Sequence, residues 1–162
     1  MNLKAEMLLM NKKLLFELLW IAISIVIAII VLLPIIFNLG LDYPLYFHNI
    51  IIIFISITFI RYIFLLKHHY IALYKWIKVI FIFIPVVVFL YLMDVMYEFQ
   101  SFNDEVGIQS FMSELSQKTQ SSLGKYIRNE MIFFWSTAFI TNALLPVRMV
   151  ISLWREINKG TH

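Results

Sequence analysis

Four stretches of this chain are so long and so apolar that few environments can accommodate them. The second contains the run IIIIFISITFI, which ends at a single charged residue, Arg61. About 20 consecutive apolar residues cross the hydrocarbon core of a bilayer, where only a helix satisfies its own backbone hydrogen bonds. Each stretch is therefore predicted to be a membrane-spanning helix. The predicted spans are residues 14–37, 45–66, 74–97 and 127–150.

The composition agrees with this interpretation and excludes several kinds of chemistry. Hydrophobic residues make up 62% of the 162 residues and charged residues only 14%. This is more apolar surface than a soluble domain of this length could bury. The absence of cysteine excludes disulfides, thiolate nucleophiles, cysteine-bound zinc and iron–sulfur clusters. The first apolar run is longer than the about 7–15 residues of a signal-peptide core, so it is expected to remain as a span.

The positions of lysine and arginine predict the topology. With the N-terminus in the cytoplasm, ten of the thirteen basic residues fall on the cytoplasmic side, as the positive-inside rule requires. These ten are Lys4, Lys12, Lys13, Arg61, Lys67, Lys75, Lys78, Arg148, Arg155 and Lys159. The sequence thus predicts an all-α, polytopic membrane protein. Residues 1–162 would form one integral domain, a bundle of four antiparallel transmembrane helices with both termini cytoplasmic. The short loops fit a bacterial inner membrane.

The predicted outer loop, residues 98–126, is the longest segment outside the membrane. Its apolar residues recur at helical spacing, which predicts a short extracytoplasmic amphipathic helix between the third and fourth spans. These residues are Ile108, Phe111, Met112 and Leu115. Asn103 or Asp104 would cap this helix, and Lys118 would lie in its last turn. It would either roof the helix ends or act as a lid for a partner or substrate.

An inner layer of ionisable residues comprises Glu17, Arg61 and Arg148. A charge at the centre of a span costs about 2.5–3.5 kcal/mol on insertion scales. Arg61 lies five residues before the predicted end of its span, about 7.5 Å by helical rise. It would extend its side chain to the interface, pair with Glu17, or do both. Alternatively, Arg61 and Arg148 would form a basic cytoplasmic vestibule for an anion or a lipid phosphate.

An outer layer is predicted where the third span ends and the fourth begins. Its members are Asp94, Glu98, Lys125, Arg128 and Glu130. Residues four apart share a helix face, so the two acids of the third span are expected to meet the two bases of the fourth in a structural clamp. Alternatively, Asp94 would hold a cation or a proton. Asn142, in the middle of the fourth span, is predicted to make an interhelical hydrogen bond.

No residue pattern indicates a catalytic, metal or cofactor site. The four histidines do not place two imidazoles on facing helices at one depth, which argues against haem. The basic loop KHHYIALYKWIK, residues 67–78, is interpreted as a positive-inside anchor, and contact with anionic lipids would use the same charges; no nucleic-acid partner is expected.

The sequence favours a non-enzymatic integral subunit or accessory protein of a larger membrane assembly, either homo-oligomeric or hetero-oligomeric. Such a chain needs few polar groups, and its apolar helices would be covered by a protein partner or by further copies. The alternative is a homo-oligomeric channel, transporter or membrane-disrupting effector whose path is lined by Arg61, Arg148 and Asp94. A lipid-modifying enzyme is a third possibility, for which the outer layer is the candidate site but offers no catalytic pair.

Overall fold

The computed structural model describes residues 3–41, 43–107, 110, 112–113 and 115–158, and no strand occurs among them. The four long helices are α1 (Leu3–Leu39), α2 (Tyr46–Leu65), α3 (Lys75–Ser101) and α4 (Gln117–Ile157). Two 3-10 turns, Leu66–His68 and Tyr70–Leu73, connect α2 to α3, and a π-helical turn, Phe102–Val106, follows α3. Each of the four helices is long and apolar enough to span a membrane.

Local sequence explains the end of α1 and the start of α4. α1 ends just before Gly40, whose φ of 61° is a left-handed conformation that glycine adopts without steric cost. The Gly40 N–H donates to the Ile36 carbonyl at 3.0 Å. α4 begins after Ser116, whose Oγ accepts a hydrogen bond from the Thr119 N–H at 3.4 Å and so satisfies one of the free donors of the first turn.

The outer loop is shorter than the sequence predicted. α3 continues to Ser101 and α4 begins at Gln117, so both ends of the predicted 98–126 loop are helical. Asn103 and Asp104 lie inside the π-helical turn and cap no separate helix, and Lys118 lies in the first turn of α4. The Ser116 cap places the start of α4 upstream of the predicted span. Ile108 and Phe111, which the predicted amphipathic stripe needs, lie outside the described residues.

The core is formed where α4 packs against α2 and α3. One cluster of buried side chains includes Ile35, Ile52, Leu92, Ile127, Met131 and Ala138. A second cluster consists of Phe59, Tyr62, Leu66, Ile71, Leu145 and Met149. Both clusters draw residues from several helices, so the position of each helix depends on its neighbours.

Polar side chains between the helices donate to backbone carbonyls of neighbouring helices. These bonds include Ser56 Oγ to Phe134 O at 2.8 Å, Trp135 Nε1 to Leu92 O at 2.6 Å, Tyr126 Oη to Val31 O at 2.7 Å and Asn142 Nδ2 to Pro85 O at 2.9 Å. A helical carbonyl has a second lone pair and can accept such a bond without losing its own. These bonds tie the helices together, although the buried Asn142 Oδ1 and Arg61 Nε and Nη1 have no hydrogen-bond partner among the described residues.

Large apolar faces remain uncovered. Only 17% of the 18-residue apolar stretch of α3 is buried inside the protein, against 44% for α2. Along α3, Phe83, Val87, Leu90 and Tyr97 are each at least 64% exposed. Contiguous apolar surface of this extent is stable beside hydrocarbon or beside another protein.

Candidate functional site

Glu17 is at the centre of a buried charged cluster that we call the Glu17 cluster. Its Oε2 lies 3.0 Å from Arg61 Nη2, and its Oε1 lies 2.9 Å from His69 Nδ1. The backbone N–H of Tyr70 also donates to Oε1, at 3.2 Å. Arg61 Nη2 donates in turn to Tyr62 Oη at 3.3 Å, with the guanidinium carbon 4.9 Å from the centre of the Tyr62 ring. One carboxylate thus receives donors from α2 and from the connection that follows it.

The connection after α2 places these donors. His69 is extended, with φ −87° and ψ 157°, between the two 3-10 turns. Tyr70 begins the second turn, so its N–H has no partner inside that turn. Glu17 on α1 supplies the missing acceptor, as a carboxylate does at a helix N-terminus.

Burial makes the pairing of Arg61 necessary. The Arg61 side chain is only 5% exposed, and His69 is fully buried. A buried charge is costly unless an opposite charge and hydrogen bonds compensate it. Of the explanations that the sequence allowed for Arg61, the structure has the ion pair with Glu17, and the guanidinium makes little contact with solvent.

The Glu17 cluster is expected to make stability depend on pH. Burial lowers the pKa of His69 from its ordinary value of 6.5, although Glu17 opposes this shift. The unfolded chain therefore binds more protons than the folded chain at and below about pH 6.5, so stability is lost as the pH falls through this window. We expect the free energy of unfolding in detergent micelles to be lower at about pH 5.5 than at about pH 7.5, and His69→Gln to flatten this dependence.

His68→Gln is the matched control, because His68 is the exposed neighbour of His69. This variant should keep the wild-type pH dependence. An equal slope in wild type and His69→Gln would contradict the assignment.

Arg148 takes no part in the Glu17 cluster. Arg148 Nε donates to the Ile63 carbonyl at 2.8 Å, and the side chain lines a cavity of about 530 Å³. The other charged residues of this cavity are Lys13, Lys67, Lys78, Arg155 and Glu156. The predicted vestibule of Arg61 and Arg148 does not form. Arg148 lines a basic cavity together with lysines and Arg155. Arg61 does not line this cavity, because it is paired with Glu17.

The predicted clamp between the two acids of α3 and the two bases of α4 does not form among the described residues. Glu98 instead lies 3.0 Å from His48 Nε2, and Asp94 is exposed with no hydrogen bond or ion pair to a described residue. The reason is the helical register of α3, which buries Leu92, Val95 and Phe99 and turns Asp94 and Glu98 to other faces.

The bases of the predicted clamp are also placed differently from expectation. Arg128 Nη2 lies 3.5 Å from Asn103 Oδ1, and Lys125 lines a pocket with Arg128 and Asn103. Both bases are exposed on α4.

Glu130 is buried on the other side of α4. Its Oε2 accepts a hydrogen bond from Asn49 Nδ2 on α2 at 3.3 Å, and no cation pairs with it among the described residues. The five predicted outer residues thus occupy separate environments.

Several buried polar residues were missed by the sequence analysis. They are Asn49, which contacts Glu130; His69, in the Glu17 cluster; and Lys78, which is 3% exposed and lies 2.6 Å from Glu156. Asn49 and Lys78 fall inside the predicted spans, so the rule that selected Arg61 could also have selected them. His69 lies in a loop, where burial has no local sequence signal.

The residues predicted to line a path have three different surroundings. Arg61 is enclosed in the Glu17 cluster, Arg148 lines the basic cavity, and Asp94 is exposed on α3. One copy of the chain therefore does not bring them together.

Comparisons with known proteins add no family assignment. No protein-family model matches the chain, and no match is found among curated proteins or solved structures.

Proposed function

We propose that this chain is a non-enzymatic integral subunit or accessory protein of a larger membrane assembly, in which its four long helices cross the bilayer as an antiparallel bundle. Contacts between α3 and α4 support the antiparallel crossing. The Pro85 carbonyl accepts a hydrogen bond from Asn142, and the Leu92 carbonyl accepts one from Trp135. The later residue of α3 thus contacts the earlier residue of α4, so the two helices run in opposite directions. Short connections between successive helices suit this topology.

The lining of the basic cavity supports placing both termini on one side of the membrane. Lys13 near the start of α1 and Arg155 near the end of α4 line the same basic cavity. The positive-inside rule then favours the cytoplasm for this end, and a bacterial inner membrane is proposed on the short loops and the amino-acid usage.

The exposure of Asp94 without a partner among the described residues is the main support for an assembly. It lies on the same stripe of α3 as Phe83, Val87, Leu90 and Tyr97, all of which are exposed. A carboxylate facing lipid loses its hydration without compensation. The neighbouring acid Glu98 has His48 within its own chain, but Asp94 has no such partner among the described residues. A hydrogen-bond donor or cation on a second protein would satisfy Asp94 while covering the apolar stripe.

The use of the interior polar groups also favours a subunit over an enzyme or a channel. Glu17 and Arg61 bind each other, and Asn142 bonds to the α3 backbone. Such contacts hold the helices together, which is the role expected of polar groups in a structural subunit.

The assembly is tested by the mass of the protein extracted in a mild detergent. The wild-type complex is expected to exceed the 19.3 kDa of one chain after subtraction of detergent. Asp94→Leu should weaken the association by roughly tenfold or more, the effect of losing a charge-assisted hydrogen bond. Removing a charge from an apolar face also eases insertion, so this loss would not reflect a failure to enter the membrane.

Two further variants make the result specific. Glu98→Gln should assemble as the wild type does, because Glu98 is engaged within the chain. Asp94→Asn, which keeps hydrogen-bonding capacity, should retain more of the complex than Asp94→Leu. A wild-type monomer with nothing copurifying, or full assembly of Asp94→Leu, would contradict the proposal.

A further inference from the structure

The basic cavity beside Arg148 gathers charges from three helices and a connection. Lys13 comes from α1, Lys67 from the first 3-10 turn, Lys78 from α3, and Arg148 and Arg155 from α4. We infer that this cavity binds a phosphate group, carried either on the head of an anionic lipid or on a free organophosphate.

The charge balance of the cavity is the first argument. Lys78 is neutralised by Glu156, whose Oε2 lies 2.6 Å from Nζ. The remaining cations of the cavity have no ion pair with any described residue. Like charges that line one cavity repel each other. A phosphate anion in the cavity would remove this repulsion and gain several favourable interactions at once.

The geometry of Arg148 is the second argument. Its Nε is bonded to the Ile63 carbonyl at 2.8 Å, which holds the guanidinium in place. The terminal nitrogens make no hydrogen bond to a described residue and remain available at the cavity. A fixed guanidinium with two such nitrogens matches the spacing of two phosphate oxygens. Arg148 is therefore assigned the central contact, with the lysines adding charge around it.

The size of the cavity indicates a phosphate that carries a substituent. A volume of about 530 Å³ is within the range of small-molecule sites and exceeds what an inorganic ion fills. A second pocket of about 330 Å³ adjoins it and shares Lys13 and Lys67, with Phe16 as an apolar wall. The other walls of this pocket are Lys12 and His68, so the added volume suits more of an anionic head group.

Native mass spectrometry of the full chain tests the inference. The protein is purified in a neutral detergent at low salt and titrated separately with phosphatidic acid, phosphatidylcholine and the soluble glycerol 3-phosphate. The wild type is expected to retain phosphatidic acid in preference to phosphatidylcholine. Arg148→Gln and Arg155→Gln should each weaken this retention by roughly tenfold, the effect of removing one charge-assisted contact. Arg128→Gln, an exposed arginine elsewhere on α4, is the matched control and should bind as the wild type does.

The outcomes separate the two sources of the phosphate. Retention of glycerol 3-phosphate as strong as that of phosphatidic acid would assign the site to a free organophosphate, and stronger retention of phosphatidic acid would assign it to a lipid. Equal retention of phosphatidic acid and phosphatidylcholine, or unchanged binding by Arg155→Gln, would overturn the inference. Arg155 is exposed, so its variant remains informative even if Arg148→Gln does not fold, as checked by thermal unfolding.

Discussion

Glu17→Leu is expected to lower the free energy of unfolding by about 3–5 kcal/mol, the range observed when one partner of a buried ion pair is removed. The carboxylate accepts from Arg61, His69 and the Tyr70 N–H, so its loss leaves three donors without their acceptor. The largest part of this cost comes from Arg61. Its guanidinium keeps its charge at every accessible pH and would retain only Tyr62 as a contact. Denaturant titration in detergent micelles, followed by tryptophan fluorescence, measures the change.

Arg61→Leu should be the milder of the two substitutions. Glu17 would still hold His69 and the Tyr70 N–H, so the remaining charge would stay partly compensated. The double variant Glu17→Leu with Arg61→Leu should recover part of the loss, since replacing a whole buried pair by apolar residues is often neutral. Additive losses in this double-mutant cycle, or a Glu17→Leu protein as stable as wild type, would show that the pair contributes little.

Leu145→Ala is expected to destabilise the protein by about 2–5 kcal/mol, the range for removing a large aliphatic side chain from a packed core. Leu145 is 0% exposed and lies in the smaller apolar cluster with Phe59 and Met149. Its truncation leaves a cavity that neighbouring helices cannot readily fill. In a hydrocarbon solvent the loss comes mainly from missing packing contacts, since lipid is as apolar as the protein interior.

Leu144→Ala is the matched control, because the adjacent leucine is 49% exposed on the same helix. Lipid or detergent can occupy the space that this truncation vacates, so its effect should be small. The same denaturation measurement applies to both variants. Equal effects of the two substitutions would contradict the assigned rotation of α4.

Composition and periodicity predicted the coarse fold because the solvent dictates it. Runs such as residues 45–66 have no stable place in water, and a helix is the economical way to bury their backbone in lipid. The observed α2, Tyr46–Leu65, agrees with this prediction to within one residue at each end. α4 was predicted less well: it begins at Gln117, ten residues before the predicted span, because polar helical turns and the Ser116 cap have no hydropathy signal.

The candidate sites were only partly accessible from sequence. Arg61 and Glu17 could be proposed as a pair because both are charges in apolar surroundings at similar depth. The predicted acid–base clamp was wrong because rotation of α3 about its axis is set by packing of Leu92, Val95 and Phe99, which the charge pattern does not reveal. Burial of His69 was missed because it depends on the path of a connection against α1.

The sequence by itself determined the helical class, the number of long apolar helices and the residues whose charge demands an explanation, because these depend on the solvation of single segments. The tertiary structure decided which charges meet: Glu17 with Arg61 and His69, Arg148 with the basic cavity, and Asp94 with no partner among the described residues. These contacts depend on helix rotation and contact between segments distant in the chain. Their energies arise only when those segments pack together.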